Sequence, residues 1–419
     1  MVRLSLKSQK NDTRQYEKMI KEINAYLDSK RDETLKFLKT LIDQKGGSGM
    51  TTAVNSVGSL IAAELPDNCF SLEKIPDDFY GDHLLFTNHQ NSKAITLIGH
   101  TETTFTDYSH LPEFRVDGDK VIGPGTCDML GGIVVFVYAL KCIHHLGKLN
   151  GIPLTLFFNT DEERGASTSK EMLKTLASKA SFALVSESAG SEGEIVVGRR
   201  GKMSFDIISK GVEGHAGNLS GQKSSAIEEI AHKILAIEAL NKNWEGADIN
   251  AGLITGGIAS NTIAGKAVLS SDIRYAMKAH EQEIKSAIFE IANKNHVNAC
   301  SSELRITSER PLWENTSDHG KSKEFVTLIS ECAKKLNHRI GTELRKGTSD
   351  ANFFGAAGVP TADGFGPVGF HDHTNREYIL LETLYERIKL CALTLLNLKA
   401  LWRYSQMLCS KKLSSNIPF

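Results

Sequence analysis

From about Asp12 to Gln44, the apolar residues Ile20, Ile23, Leu27, Leu35, Leu38 and Leu41 recur at helical spacing among lysines and glutamates, and Gly46-Gly47-Ser48-Gly49 stops the pattern. A second helix is predicted from Thr52 to Glu64, with Val54, Val57, Leu60 and Ile61 turned inward. Short continuous apolar runs come next: Ala94 to Gly99, Leu154 to Phe158 and Phe182 to Val185. Each has the length of a strand buried on both faces. Between them the pattern predicts an apolar helix from about Ile133 to His145 and another near Ser167 to Ser178. Strands alternating with helices predict an α/β fold with a mainly parallel sheet and helices on both faces.

After Gly198 the rhythm changes. Met203 to Ile208 and Ala267 to Tyr275 have strand patterns, with Leu304 to Thr307 as a further candidate. Ser224 to Leu240 and Ala279 to Asn293 have helix patterns, the first with Ile227, Ile230, Ile234 and Ile237 at helical spacing. These passages predict a smaller α+β domain at residues 199–312, inserted into a discontinuous larger domain formed by 1–198 and 313–419. The α/β pattern resumes with a helix around Glu324 to Lys335, a strand at Val359-Pro360-Thr361 and a closing helix from Leu381 to about Leu401. Arg403 to Phe419 lacks clear periodicity and is expected to be a loose tail.

A chain of 419 residues exceeds the usual size of one core, which agrees with two domains. A net charge of -1 removes the electrostatic reason to expect nucleic acid as a partner, so a small ligand is expected. The start lacks the apolar core of a signal peptide, and no run is long and apolar enough to span a bilayer, so the expectation is a cytoplasmic protein without a membrane partner. Seven cysteines, scattered and without C-x-x-C spacing, indicate neither a disulfide framework nor a thiolate metal site. They read as reduced residues, mostly in the core.

The apolar run Leu154 to Phe158 ends in three successive carboxylates, Asp161-Glu162-Glu163. Such a cluster needs solvent, basic partners or bound cations. Other possible ligands fall at equivalent places, where chemistry is expected in an open parallel sheet. His100 follows one predicted strand, Asp128 lies in a glycine-rich loop, Glu187 ends another strand, and His373 sits in the late loop Phe370 to Glu377. Singly, each has an ordinary structural role: a hydrogen-bonded histidine, a turn residue, a surface acid, a loop residue. Together they form a mixed imidazole and carboxylate set that suits zinc, or a similar ion such as cobalt or manganese. Two ions are accommodated if Asp128 bridges them, with His100 and Glu187 on one side and Glu163 and His373 on the other. Three carboxylates and one hydroxide would then neutralise two dications. Glu162 is left over, and a carboxylate beside the metals that binds neither can act as general base and then as acid toward a leaving amine.

The segments Gly99-His100-Thr101-Glu102, Gly123 to Gly132, Thr160 to Gly165 and Gly347-Thr348-Ser349-Asp350-Ala351-Asn352 resemble those of the dinuclear zinc exopeptidases and amidohydrolases. That family includes glutamate carboxypeptidase, aminoacylase, acetylornithine deacetylase and succinyl-diaminopimelate desuccinylase. The resemblance spans roughly Glu33 to Trp402 and is nearest the glutamate carboxypeptidase branch, through Asn159 to Glu163 and Phe114 to Lys120. It implies the metal ligands above, Glu162 as base, an inserted dimerisation or lid domain and a cis Asp128-Met129 peptide. It further implies a homodimer in which His215, in Gly214-His215-Ala216-Gly217, reaches the partner's site and donates to the tetrahedral oxyanion. Asn261 and Arg274 would hold the substrate α-carboxylate.

Two positions depart from the family pattern. Glu102 stands where an aspartate usually orients the first histidine, and Ala264 where a proline is common. His371 and His373 both lie in the late loop, and the spacing of His373 to Glu377 matches the family. The expected activity is hydrolysis of a peptide or N-acyl amide bond beside an amino acid with a free carboxylate, C-terminal glutamate being the first choice. An N-acyl-amino-acid deacylase is the alternative within the family. A silent binding or scaffold protein on the same fold is the alternative outside it, supported only by Glu102 and opposed by the complete ligand set.

Overall fold

Ala94–His100 and Leu154–Asn159 are buried at every position, as strands covered on both faces must be. They pair in parallel, Ile95 opposite Leu154 and His100 opposite Asn159. The computed structural model describes residues 6–218 and 221–414, and in it these two strands lie at the centre of a six-stranded sheet. From one edge the order is Ser71–Ile75, His83–Thr87, Leu154–Asn159, Ala94–His100, Ala180–Val185 and Thr361–Ala362. The last four strands pair in parallel, and His83–Thr87 alone runs antiparallel to its neighbours on both sides, so the sheet is mostly parallel.

Helix Leu130–His145 is apolar on all sides, and every residue from Leu130 to Leu140 is buried. That composition suits an internal helix rather than an amphipathic surface one. The helical stretch expected from Asp12 to Gln44 is two helices, Leu6–Asp28 and Arg31–Ile42. The break falls at Ser29, whose hydroxyl turns back to the carbonyl of Tyr26 and competes with the helical ladder. Ile23, Leu27, Leu38 and Leu41 are buried as their spacing predicts.

The loose tail is a correction. Helix Leu381–Ser414 continues through most of it, and only residues 415–419 lie outside the described residues. Residues 403–414 contain neither proline nor glycine, and extending an existing helix costs far less than nucleating one.

The chain divides into two units: residues up to Val197 with Asn315–Leu344 and Phe353–Phe419, and Gly198–Glu314 with Arg345–Asn352. Residues 345–352 join the second unit through side chains: Arg199 donates to the carbonyl of Gly347, and Asn352 to those of Arg200 and Pro311. This unit is an antiparallel sheet in the order Asp248–Gly256, Lys266–Tyr275, Gly201–Lys210, Ser301–Arg310. Phe205, Ile207, Leu269 and Ile273 pack in one core with Ile230 and Ile237 of helix Ala226–Ala239 and Ile284 and Ile288 of helix Lys278–Asn293. Among the described residues no helix is long and apolar enough to cross a membrane. Cys127, Cys142, Cys300, Cys332 and Cys391 are buried free thiols, Cys69 is a half-buried one, and the side chain of Cys409 lies outside the described residues.

Candidate metal centre

Parallel strands deliver their C-terminal ends to one edge of a sheet, and the first unit uses that edge. His100 is the last residue of its strand and is buried. Its Nδ1 lies 2.9 Å from the carbonyl oxygen of Glu102, which can only accept, so Nδ1 carries the hydrogen. Nε2 then faces carboxylates, with Asp128 Oδ1 at 3.0 Å and Glu187 Oε1 at 3.9 Å. A neutral imidazole would meet them lone pair to lone pair. Either a proton or a metal cation relieves that clash. The ring's pKa records this: burial disfavours the charged form, yet the Glu102 and Asp128 carboxylates outweigh it and hold the pKa well above the ordinary histidine value.

Asp128 lies in the turn before helix Leu130–His145, and its peptide bond to Met129 is cis. The helix can start this close because a Cβ at Gly132 would fall 1.7 Å from the carbonyl oxygen of Ser186, in the turn that carries Glu187. Gly125 adopts φ of +83°, the left-handed region that glycine tolerates. The two oxygens of Asp128 meet different imidazoles: Oδ1 that of His100, and Oδ2 that of His373, also at 3.0 Å. Burial would raise the Asp128 pKa, but the hydrogen bonds from the two histidines depress it far below the usual carboxylate range.

His373 Nε2 is also 3.3 Å from Glu163 Oε2, and these contacts with Asp128 and Glu163 lift its pKa to about 11. The other Glu163 oxygen, Oε1, is buried with no hydrogen-bond partner among the described residues. A buried carboxylate oxygen in that condition fits a metal ligand. His371 does not share this place; its ring lies against Tyr378. Glu187 has its pKa pushed well up by burial and then by the charges of Asp128 and Glu162, partly offset by His100.

Ligand atoms of His100, Asp128 and Glu187 all lie within 4.8 Å of one another, as do those of Asp128, Asp372 and His373. Asp372 was missed in the sequence, where its one signal is adjacency to His373. Both groups share Asp128, so the donors fit a pair of divalent ions with that residue between them. Neither Glu162 nor Glu163 belongs to either group, though Glu163 Oε2 reaches His373 Nε2. Glu162 opens a single turn of 3-10 helix, Glu162–Arg164, and that turn is anchored by buried Asp161, which accepts from the N–H groups of Thr168 and Ser169.

Glu377 is a second residue whose role was not legible. Its buried carboxylate accepts from the N–H groups of Gly125, Cys127 and Asp128 at 2.9, 2.8 and 3.1 Å, and so shapes the loop that presents Asp128. Glu377→Gln replaces one acceptor oxygen by a donor. Metal affinity, measured by competition with a chelator, should weaken about 10- to 100-fold. Unchanged affinity would mean that the loop keeps its shape without this carboxylate.

In the second unit His215 is exposed and pairs with Thr262 in a short antiparallel ladder, where Ala216 N–H donates to the carbonyl of Asn261. His215 and Asn261 are therefore neighbours. Arg274 is not. It lies near the far end of strand Lys266–Tyr275, its Nε donating to Asp272 at 2.7 Å.

The sequence profile described as "Peptidase family M20/M25/M40" matches residues 96–397. Carboxypeptidase G2 of Pseudomonas sp. (strain RS-16) is 26% identical over 375 residues, covering 87% of this chain and 89% of that one. Succinyl-diaminopimelate desuccinylase of Hydrogenovibrio crunogenus is 25% identical over 398 residues, covering 87% and 99%. Among solved structures, an M20 family metallo-carboxypeptidase from Sulfolobus solfataricus superposes with a TM-score of 0.68 at 14% identity, covering 87% of this chain and 98% of that one.

Proposed function

We propose, from the premise that this chain belongs to the peptidase family M20/M25/M40, that it is a dinuclear metallo-carboxypeptidase, cleaving an amide bond beside an amino acid with a free carboxylate. Hydrolysis of amide bonds is common ground for the family and for the relatives named carboxypeptidase and desuccinylase. The observation that carries the dinuclear reading is Asp128, with an imidazole on each of its oxygens. The donor set suits zinc, with cobalt or manganese as substitutes.

His100 and Glu187 would hold one ion, Glu163 and His373 the other, and Asp128 both. Bound there, the two ions supply Lewis acidity toward the scissile carbonyl and lower the pKa of the attacking water. Glu162 accepts the proton that this water loses and returns it to the departing amine nitrogen, so protons balance over one turnover. Arg274 is assigned to the substrate α-carboxylate, whose two oxygens match a guanidinium fork, and Asn261 is assigned to the same group.

These assignments favour a homodimer. Along strand Lys266–Tyr275, Arg274 is on the order of 25 Å from the end where Asn261 and His215 sit, too far for one small substrate to touch all three within one copy. A second copy can supply the missing end. The edge strand Asp248–Gly256 offers a surface for it, because Leu253 and Ile254 expose 60% and 49% and Ile258 just beyond exposes 84%.

Arg274→Lys keeps the charge but loses the fork, so kcat/KM should fall about 10- to 100-fold. The companion comparison is a substrate ending in glutamate against its α-carboxamide. Equal rates on both would remove the carboxylate from the description and favour a general amidase. Preference for N-acyl amino acids over dipeptides would instead select the deacylase.

A further inference from the structure

Glu102 has a different neighbour from the one its place in the sequence suggests. The His100 ring is oriented by the main chain, with Nδ1 2.9 Å from the Glu102 carbonyl oxygen and 3.6 Å from the carboxylate. The side chain, fully buried, reaches onward instead: Oε1 accepts the N–H of Glu163 at 3.0 Å. This bond extends the pairing of two strands past its natural end. Their backbone ladder closes with Thr101 N–H donating to the carbonyl of Asn159, and beyond it the Glu102 side chain joins the two turns.

We propose that Glu102 is a positioning residue for the Glu163 half of the centre, holding the turn that carries both Glu162 and Glu163. The inference rests on the two-ion reading above. A hydrogen bond from a backbone N–H to a buried carboxylate oxygen is directional, and this one ties the Glu163 backbone to the residue whose carbonyl orients His100. The length of the side chain matters. An aspartate is shorter by one carbon–carbon bond, about 1.5 Å, which opens a 3.0 Å contact beyond hydrogen-bond range. Glu102 in place of aspartate is therefore a tie between the two halves of the site, and restoring aspartate should damage the second half and spare the first.

The test is calorimetric titration of the metal-free full chain with zinc, for wild type, Glu102→Asp, Glu102→Gln and Glu163→Ala, together with hydrogen exchange at the Glu163 amide. In Glu102→Asp one of the two binding steps should weaken about 10- to 100-fold, the same step that Glu163→Ala removes, and the Glu163 amide should exchange faster. Glu102→Gln keeps the length and an acceptor, so it should retain most of the amide's protection. Equal weakening of both steps, selective loss of the other step, or as much loss in Glu102→Gln as in Glu102→Asp would overturn the proposal. A wild type that binds one ion would instead refute the two-ion reading. Exchange at Glu163 then decides alone: faster in Glu102→Asp supports the tie, unchanged rejects it.

Discussion

Replacing Glu162 by glutamine should leave both metal ions bound and lower kcat about a thousandfold. Glutamine has the same shape but cannot accept the proton of the attacking water at neutral pH, so only proton transfer is removed. Metal binding should survive because the imidazoles and carboxylates that converge on Asp128 do not include Glu162, whereas Glu163, also outside those groups, reaches His373 Nε2 at 3.3 Å. The charge of Glu162 also contributes to the raised pKa of Glu187, so its removal should favour the ionised, ligating form of that residue. Metal content by elemental analysis and kcat on one preparation check the expectation. If metal and activity disappear together, Glu162 is a ligand and the proton has another acceptor.

The second large effect is expected at His215. Gly217 N–H donates to His215 Nδ1 at 3.0 Å, which makes Nδ1 the acceptor and leaves the hydrogen of the neutral ring on Nε2. With Nδ1 engaged, Nε2–H is the donor that the exposed neutral ring has to offer. A donor aimed at a developing oxyanion contributes about 100- to 1000-fold, so His215→Ala should reduce kcat by that factor with little change in KM. If the ring serves the other copy of the chain, mixing inactive His215→Ala with inactive Glu162→Gln should restore activity. Random exchange makes half of the dimers mixed, each with one intact site of two, for about a quarter of wild-type activity. No recovery on subunit exchange, or a fully active monomer in sedimentation, would sink the dimer assignment.

The strands that end in His100, Asn159 and Val185 were legible because a strand buried on both faces must be apolar throughout, and the polar residues that follow mark where the sheet's edge meets solvent or ligand. Where burial does not constrain composition, the pattern was silent. Asp248–Gly256 escaped notice because it is an edge strand, exposed at most positions and bearing two glycines. The helical tail was not legible because residues 403–414 show no apolar periodicity, and an existing helix can extend without one.

From the sequence alone came the order and type of the main elements and the presence, after the strands, of side chains with metal-binding chemistry, because both depend on local periodicity and on residue chemistry. Tertiary structure decided what those side chains face. Between His371 and His373, two residues apart, one ring packs on Tyr378 and the other on Asp128. Glu377 shapes the Asp128 loop from about 250 positions away, and Glu102 reaches the amide of Glu163 rather than serving only the histidine beside it. Arg274 and Asn261, close in sequence and assigned one task, are separated by the length of a strand. Hydrogen-bond partners such as these depend on where the chain returns in space, and no local periodicity encodes that return.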